Sequence, residues 1–182
     1  MKTHKMLLKL NGKTLIEHCI ENMYNTCSRI IVVGGHRADD IKPLLIKYKK
    51  AELVLNRNYI NGMFSSVKTG LSLIKGERFF LTPGDYPAIN ENVYERLLRE
   101  DGEIIIPTYK GEKGHPVLMK GYLAGEVLKN IQYSNLRQFI NAKGFTKAEV
   151  QEKGVLMDVD TTEDYYMVCR YLAQKQGLAG LS

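Results

Sequence analysis

No apolar run in this sequence approaches the ~20 residues that a helix needs to cross a bilayer. Nor does the start follow a secretory signal, because Lys9 and Lys13 interrupt the early apolar stretch before an apolar core is reached. Cysteine is scarce. Cys19, Cys27 and Cys169 have no metal-ligand spacing, and their odd number argues against a disulfide framework. They are expected to be buried or half-buried thiols of a cytoplasmic protein with no membrane partner. Basic residues outnumber acidic ones and give a net charge of +6, but they are scattered, with only short pairs such as Lys49-Lys50. Without a Lys/Arg stripe interleaved with aromatics, nucleic acid is not the expected partner. A phosphate-bearing small molecule suits the same charge. Internal repeats, low-complexity segments and linkers are also missing, and 182 residues are enough for one core, so a single domain over 1–182 is expected.

What the sequence does contain is alternation. Leu15, Ile16, Cys19, Ile20 and Met23 recur at helical spacing and predict an amphipathic helix over 13–25. RIIVVG at 29–34 is a short, β-branched run ending in Gly-Gly, as a strand buried on both faces would read. Helix is expected again over 38–49, strand over 52–56, helix over 63–74, strand over 78–82, helix over 91–99 and strand over 103–107. Beyond 107 the rhythm loosens. A turn and short strand around GEKGHPVLM, helices near 120–130 and 134–142, a strand near 155–159 and a closing helix over 162–176 complete the expected order. Strands alternating with helices indicate an α/β fold, a mostly parallel sheet with helices on both faces.

Ligands of such sheets bind beyond the carboxyl ends of the strands, and three of those ends carry unusual residues. Asp85, in PGDYP, follows the RFFLT strand. Gly84 lets the backbone approach a ligand closely, and the carboxylate is a hard oxygen donor of the kind magnesium takes alongside substrate phosphates. An Asp that merely caps a turn reads the same way. In MDVDTTED, Asp158 and Asp160 alternate and so share a face, which suits two carboxylates converging on one ion. Thr161 or Thr162 with Glu163 and Asp164 also reads as a helix start. Gly12-Lys13-Thr14 resembles the end of a Walker motif, but the required earlier glycine is Leu7, so Lys13 and Thr14 are read as a turn and helix start. Asn61-Gly62-Met63-Phe64-Ser65-Ser66 is a glycine turn entering a helix, suited to an anion, or else to Ser65 as a simple cap. Lys5 and the Gly114-His115-Pro116 segment are, by themselves, compatible with an ordinary surface lysine and a strand-end histidine.

Order adds what single motifs lack. KMLLKLNGKTLIEH, VVGGH, NGMFSSVKTGL, TPGDYP, GHPVL and MDVDTTEDY resemble, in sequence order and over nearly all of the chain, the nucleotidyltransferase family of the molybdenum cofactor, most of all its cytidylyltransferase branch. The resemblance implies a Rossmann-like nucleotidyltransferase fold. It also implies attack of a terminal phosphate on the α-phosphorus of CTP, favoured over GTP, with release of pyrophosphate, Mg2+ as cofactor and a molybdopterin-type acceptor. By position it assigns Lys5 to the triphosphate and to catalysis, and Asp85 to catalysis and metal. Asp158 and Asp160 form the second acidic element of the metal site. Gly62, Met63, Ser65, Ser66 and Gly84 lie beside the nucleotide, and Gly114, His115 and Pro116 on the acceptor side.

The family pattern begins with a strand and a loop of the type L-A-A-G-x-S-x-R-M-G-x-x-K. Here Met1 falls on its Met, Lys2 on its last Gly and Lys5 on its Lys. The expectation is an N-terminally truncated form that lacks the first strand, exposes two strand edges to self-association and is weakly active. Two other readings of the chain are a non-catalytic cofactor binder or chaperone, and a nucleotidyltransferase with another phosphorylated acceptor.

Overall fold

The computed structural model describes residues 4–179. After a 3-10 turn at Lys5–Leu7, two short strands, β1 (Lys9–Leu10) and β2 (Lys13–Thr14), pair antiparallel and deliver the chain to α1 (Leu15–Met23). Thr14 and Glu17 close that helix start reciprocally. The Thr14 hydroxyl accepts from the Glu17 N–H, and the Glu17 carboxylate accepts from the Thr14 N–H at 2.8 Å. Such a cap is worth about 1 kcal/mol. Leu15, Ile16, Cys19, Ile20 and Met23 form the buried face of α1, as their spacing requires.

The elements that follow are β3 (Ile30–Gly34), α2 (Lys42–Leu45), β4 (Ala51–Leu55), α3 (Met63–Leu71), β5 (Arg78–Leu81), α4 (Glu91–Leu98), β6 (Ile104–Tyr109), β7 (Glu112–Lys113), β8 (Val117–Lys120), α5 (Leu123–Lys129), α6 (Leu136–Lys143), β9 (Thr146–Glu149) and α7 (Thr162–Ala179). The α/β alternation is as expected, with four local corrections. The helix expected over 38–49 is a 3-10 turn at Ala38–Asp40 followed by the single turn α2, which starts at Lys42-Pro43. The strand expected near 155–159 is a 3-10 turn at Lys153–Leu156 leading into an extended segment, in which the Val159 N–H bonds the Asp85 carbonyl at 3.0 Å. In its place β9 pairs with β6. Only Ala148 of its four side chains is buried, so its sequence TKAE gives little apolar signal.

The fourth correction concerns strand direction, since the sheets are mixed rather than mostly parallel. β3–β4 and β6–β9 are parallel, but β8 lies antiparallel between β5 and β6. The cause is the tight β6–β7 turn through Lys110 and Gly111, both at positive φ, which sends the chain straight back along β6. Among the described residues, β3 and β5 each have a single sheet neighbour.

Alternation along β6 separates two apolar layers. Ile105 joins Ile16, Ile20, Val93 and Leu97 beneath α1 and α4. Ile104 and Ile106 face the other way, to Leu71, Leu123 and Phe139 of α3, α5 and α6. Helices thus cover both faces of the sheet around β6 and β8, which buries these two strands and leaves the strand ends accessible. No described helix is long and apolar enough to cross a membrane.

Candidate active site

The carboxyl end of β5 runs directly into Thr82-Pro83-Gly84-Asp85-Tyr86. Here the structure brings together residues from three distant parts of the chain. The Lys5 ammonium donates to Asp85 Oδ2 at 2.7 Å and to Asp160 Oδ1 at 2.6 Å. Asp85 is the more enclosed partner, with 17% of its side chain exposed against 66% for Asp160. Burial alone would lower the Lys5 pKa, but the bonds to Asp160 and Asp85 outweigh it and hold the ammonium above its ordinary value. Asp158 lies nearby. Desolvation, reinforced by the charges of Asp160, Asp85 and Asp164, raises its carboxyl above the usual carboxylate value.

Gly84 is closely packed. A Cβ there would meet Met6 Sδ at 3.0 Å and Ile16 Cδ1 at 3.3 Å, so a larger residue would have to push these two side-chain ends aside for the loop to lie as close to the Lys5–Leu7 turn. The extended segment 157–160 is tied on by the Val159–Asp85 bond and then enters α7 through a cap. Thr161 Oγ1 accepts from the Asp164 N–H at 3.1 Å, and Asp164 Oδ2 accepts from the Thr161 N–H at 2.8 Å. The cap reading of Thr161 is therefore correct, and it leaves Asp160 free to face Lys5.

Antiparallel pairing of Leu81 with Val117 sets the entrance of β8 beside the exit of β5. This places Gly114-His115-Pro116 next to the acidic loop. The His115 and Tyr86 rings meet edge-on, with centroids 4.7 Å apart. Burial pushes the His115 pKa down against the pull of Asp85 and a bond to the Leu81 backbone, so the imidazole stays neutral at neutral pH. Its Nδ1 is buried without a hydrogen-bond partner among the described residues. A Cβ on Gly114 would lie 2.4 Å from the Val155 carbonyl, which explains the glycine before the histidine. Tyr86 is pushed up to about 12 by desolvation and the three neighbouring carboxylates, and remains a neutral phenol.

At the carboxyl end of β4, Asn56 is 3% exposed. Its Nδ2 donates to Ser65 Oγ at 2.8 Å and Ser66 Oγ at 3.0 Å, while Oδ1 accepts from the Asn58 N–H. Ser65 is not the cap of α3. Gly62 holds that position at φ +84°, and the Ser65 hydroxyl bonds the Gly62 carbonyl from one turn inside the helix. No side chain caps α3; the Gly62 and Ser65 N–H groups are taken by the Tyr59 and Gly62 carbonyls, and those of Met63 and Phe64 are the ones an anion could meet. Met63 is exposed beside them. A cleft of about 490 Å³ opens at this start of α3, lined by Asn56, Asn58, Asn61, Phe64, Ser65 and Lys68 among others, and includes none of the acidic residues.

The donor set around Lys5 suits a hard divalent cation. It consists of carboxylate oxygens, and Asp85 Oδ1 is buried with no hydrogen-bond partner among the described residues. Among the same residues, no three acidic, His or Cys side chains form a complete metal cage. Asn56, Tyr86, and the α1 residues Cys19 and Asn22 that touch the acidic loop are additions to the expected site. Asn56, closing the expected strand just before NGMFSS, had a readable signal. The α1 residues had none, because their partners lie 65 residues away.

An α/β fold with a lysine held by two carboxylates beyond the end of β5, and with a helix start elsewhere that no side chain caps, is a frame suited to handling phosphates. The same frame is found in a nucleotidyl transferase from Methanothermobacter, at a TM-score of 0.81 and 22% identity, over 95% of this chain and 87% of that one. It recurs in the manganese complex of Rv0371c from Mycobacterium tuberculosis, at a TM-score of 0.76 and 18% identity, over 93% of each chain. In sequence the chain is 28% identical over 163 residues to molybdenum cofactor cytidylyltransferase of Escherichia coli K12, covering 88% of this chain and 84% of that protein. The MobA-like NTP transferase domain model matches residues 1–149. The chain belongs to that family and is a nucleotidyltransferase.

Proposed function

We propose that this chain transfers cytidine monophosphate from CTP to a molybdopterin-type acceptor and releases pyrophosphate. The observation that carries the reading is Lys5 held between Asp85, at the end of β5, and Asp160, with the His115 ring against Tyr86 beside them. The Lys5 ammonium neutralises the triphosphate, and the Gly62–Ser66 turn orients the nucleotide, with the Met63 and Phe64 N–H groups at the helix start. Gly84 keeps the loop close, while Asp85 with Asp158 or Asp160 supplies carboxylate oxygens to Mg2+. When bound, the ion neutralises charge on the transferring phosphoryl group. Gly114, His115 and Pro116 face the acceptor, whose terminal phosphate attacks in line. Positioning and charge neutralisation account for most of the rate enhancement in such a reaction.

Cytidine is chosen over guanosine on the similarity to the cytidylyltransferase. A divalent cation in this frame has a precedent in the manganese complex. A reducing cytoplasm suits three free cysteines. Turnover by the 182-residue chain is proposed to be slow, because Met1, Lys2 and Lys5 align with only the end of the phosphate-cradling loop of the family pattern. Pyrophosphate release should require CTP, a molybdopterin acceptor and Mg2+ together, and should be at least about tenfold faster than with GTP, below about 1 s⁻¹. Release with GTP alone, or without metal, would remove this assignment.

The open edges of β3 and β5 support a second proposal, self-association by strand pairing. Sedimentation at increasing concentration should show a rising mass. A constant monomer mass would count against it.

A further inference from the structure

Two side chains on one face of α1 reach the acidic loop from below. The Cys19 thiol donates to the Gly84 carbonyl at 3.3 Å, and Asn22 Nδ2 donates to the Pro87 carbonyl at 2.9 Å. These carbonyls lie on either side of Asp85. Cys19 and Asn22 are three residues apart, so they stand one above the other on the helix. The same helix touches the other half of the site. Ile16 lies against Gly84 and shares an apolar cluster with Met6 and Leu7, the residues that follow Lys5. His18 Nε2 bonds the Leu10 carbonyl at 2.8 Å and ties the helix to the β1–β2 turn. One rigid element therefore sets the position of Lys5 and of Asp85.

We infer that Cys19 and Asn22 are positioning residues, which fix the Gly84–Pro87 backbone and so hold the Asp85 carboxylate at the geometry a divalent cation needs. Neither touches substrate. The inference rests on the metal reading of Asp85 given above. Burial and the Asp85 charge push the Cys19 thiol up to about 12, so it remains an S–H donor at any working pH. The Asn22 amide supplies the stronger bond, at the end of the loop where Pro87 leaves it. Without these donors the loop still packs through Gly84 and keeps the Val159–Asp85 bond, but the Gly84 and Pro87 carbonyls on either side of Asp85 lose their partners and the carboxylate is less firmly aimed.

Donor-deleting and donor-keeping variants separate this role from general stability. In Asn22→Ala and Cys19→Ala, affinity for Mn2+ alone, read by electron paramagnetic resonance, should fall about tenfold, the scale seen when partners behind metal ligands are lost. The kcat should fall in parallel, and the KM for CTP should stay within about twofold. Asn22→Gln and Cys19→Ser, which keep a donor, should stay near the parent in both readouts. Equal losses in the donor-keeping variants, or parent-like Mn2+ affinity and kcat in a folded Cys19→Ala/Asn22→Ala double variant, would overturn the inference alone. Failure of the parent chain to bind Mn2+ at all would overturn both this inference and the metal reading beneath it.

Discussion

Asp85→Asn is expected to lower kcat by roughly 10²–10³-fold while changing the Kd for CTP by less than about tenfold. The substitution keeps the shape of the side chain and leaves the Asp85 carbonyl to accept from Val159 as before. The loop therefore stays in place, and the loss is one of charge. Oδ2 no longer offers a full negative charge to Lys5, and the buried, unpartnered Oδ1 no longer offers one to a cation. Nucleotide affinity draws on Lys5 and the α3 start, which the change leaves intact, so binding falls less than turnover. Steady-state pyrophosphate release and calorimetric titration of CTP measure the two quantities separately. A variant with the parent's kcat would take Asp85 out of the reaction.

Lys5→Met should act in two opposite directions. Nucleotide affinity should fall by about 10–100-fold, because the point charge that meets the triphosphate is gone. Affinity for Mn2+ without nucleotide should rise, by about tenfold, because the ammonium that satisfies Asp85 and Asp160 no longer competes for them. The two ion pairs at 2.7 and 2.6 Å put the lysine where a cation would be attracted, so metal and lysine cannot both occupy that position. Nucleotide phosphates, by drawing Lys5 away, would open the carboxylates and couple the two ligands. Paramagnetic resonance of Mn2+ with and without CTP reads both effects. A variant that binds Mn2+ no better than the parent would show that Lys5 does not stand in the cation's place.

Much of this site was legible before any coordinates. Asp85 behind Gly84 and the alternating Asp158 and Asp160 were recognisable by residue type, and the structure places Asp85 and Asp160 together on Lys5. Lys5 itself was not distinguishable from a surface lysine except through the order of the surrounding motifs. Asn22, Cys19 and Tyr86 gave no signal, since an amide, a thiol and a phenol at such positions read as ordinary helix and turn residues. β9 was hidden because a strand with one buried side chain in four shows no apolar alternation.

The sequence by itself determined the α/β alternation, the cap at Thr14, the apolar face of α1 and the order of the six motifs. The first three rest on interactions between residues within a few positions of one another, where periodicity and side-chain chemistry act directly, and the motif order is read straight from the linear chain. Only the tertiary structure decided that β8 lies antiparallel between β5 and β6, and that His115 therefore meets Tyr86. It also decided that Lys5 bridges carboxylates 80 and 155 residues away, and that α1 holds the acidic loop from beneath. Contacts of 3 Å between segments so far apart depend on the path of the whole chain, which no local pattern specifies.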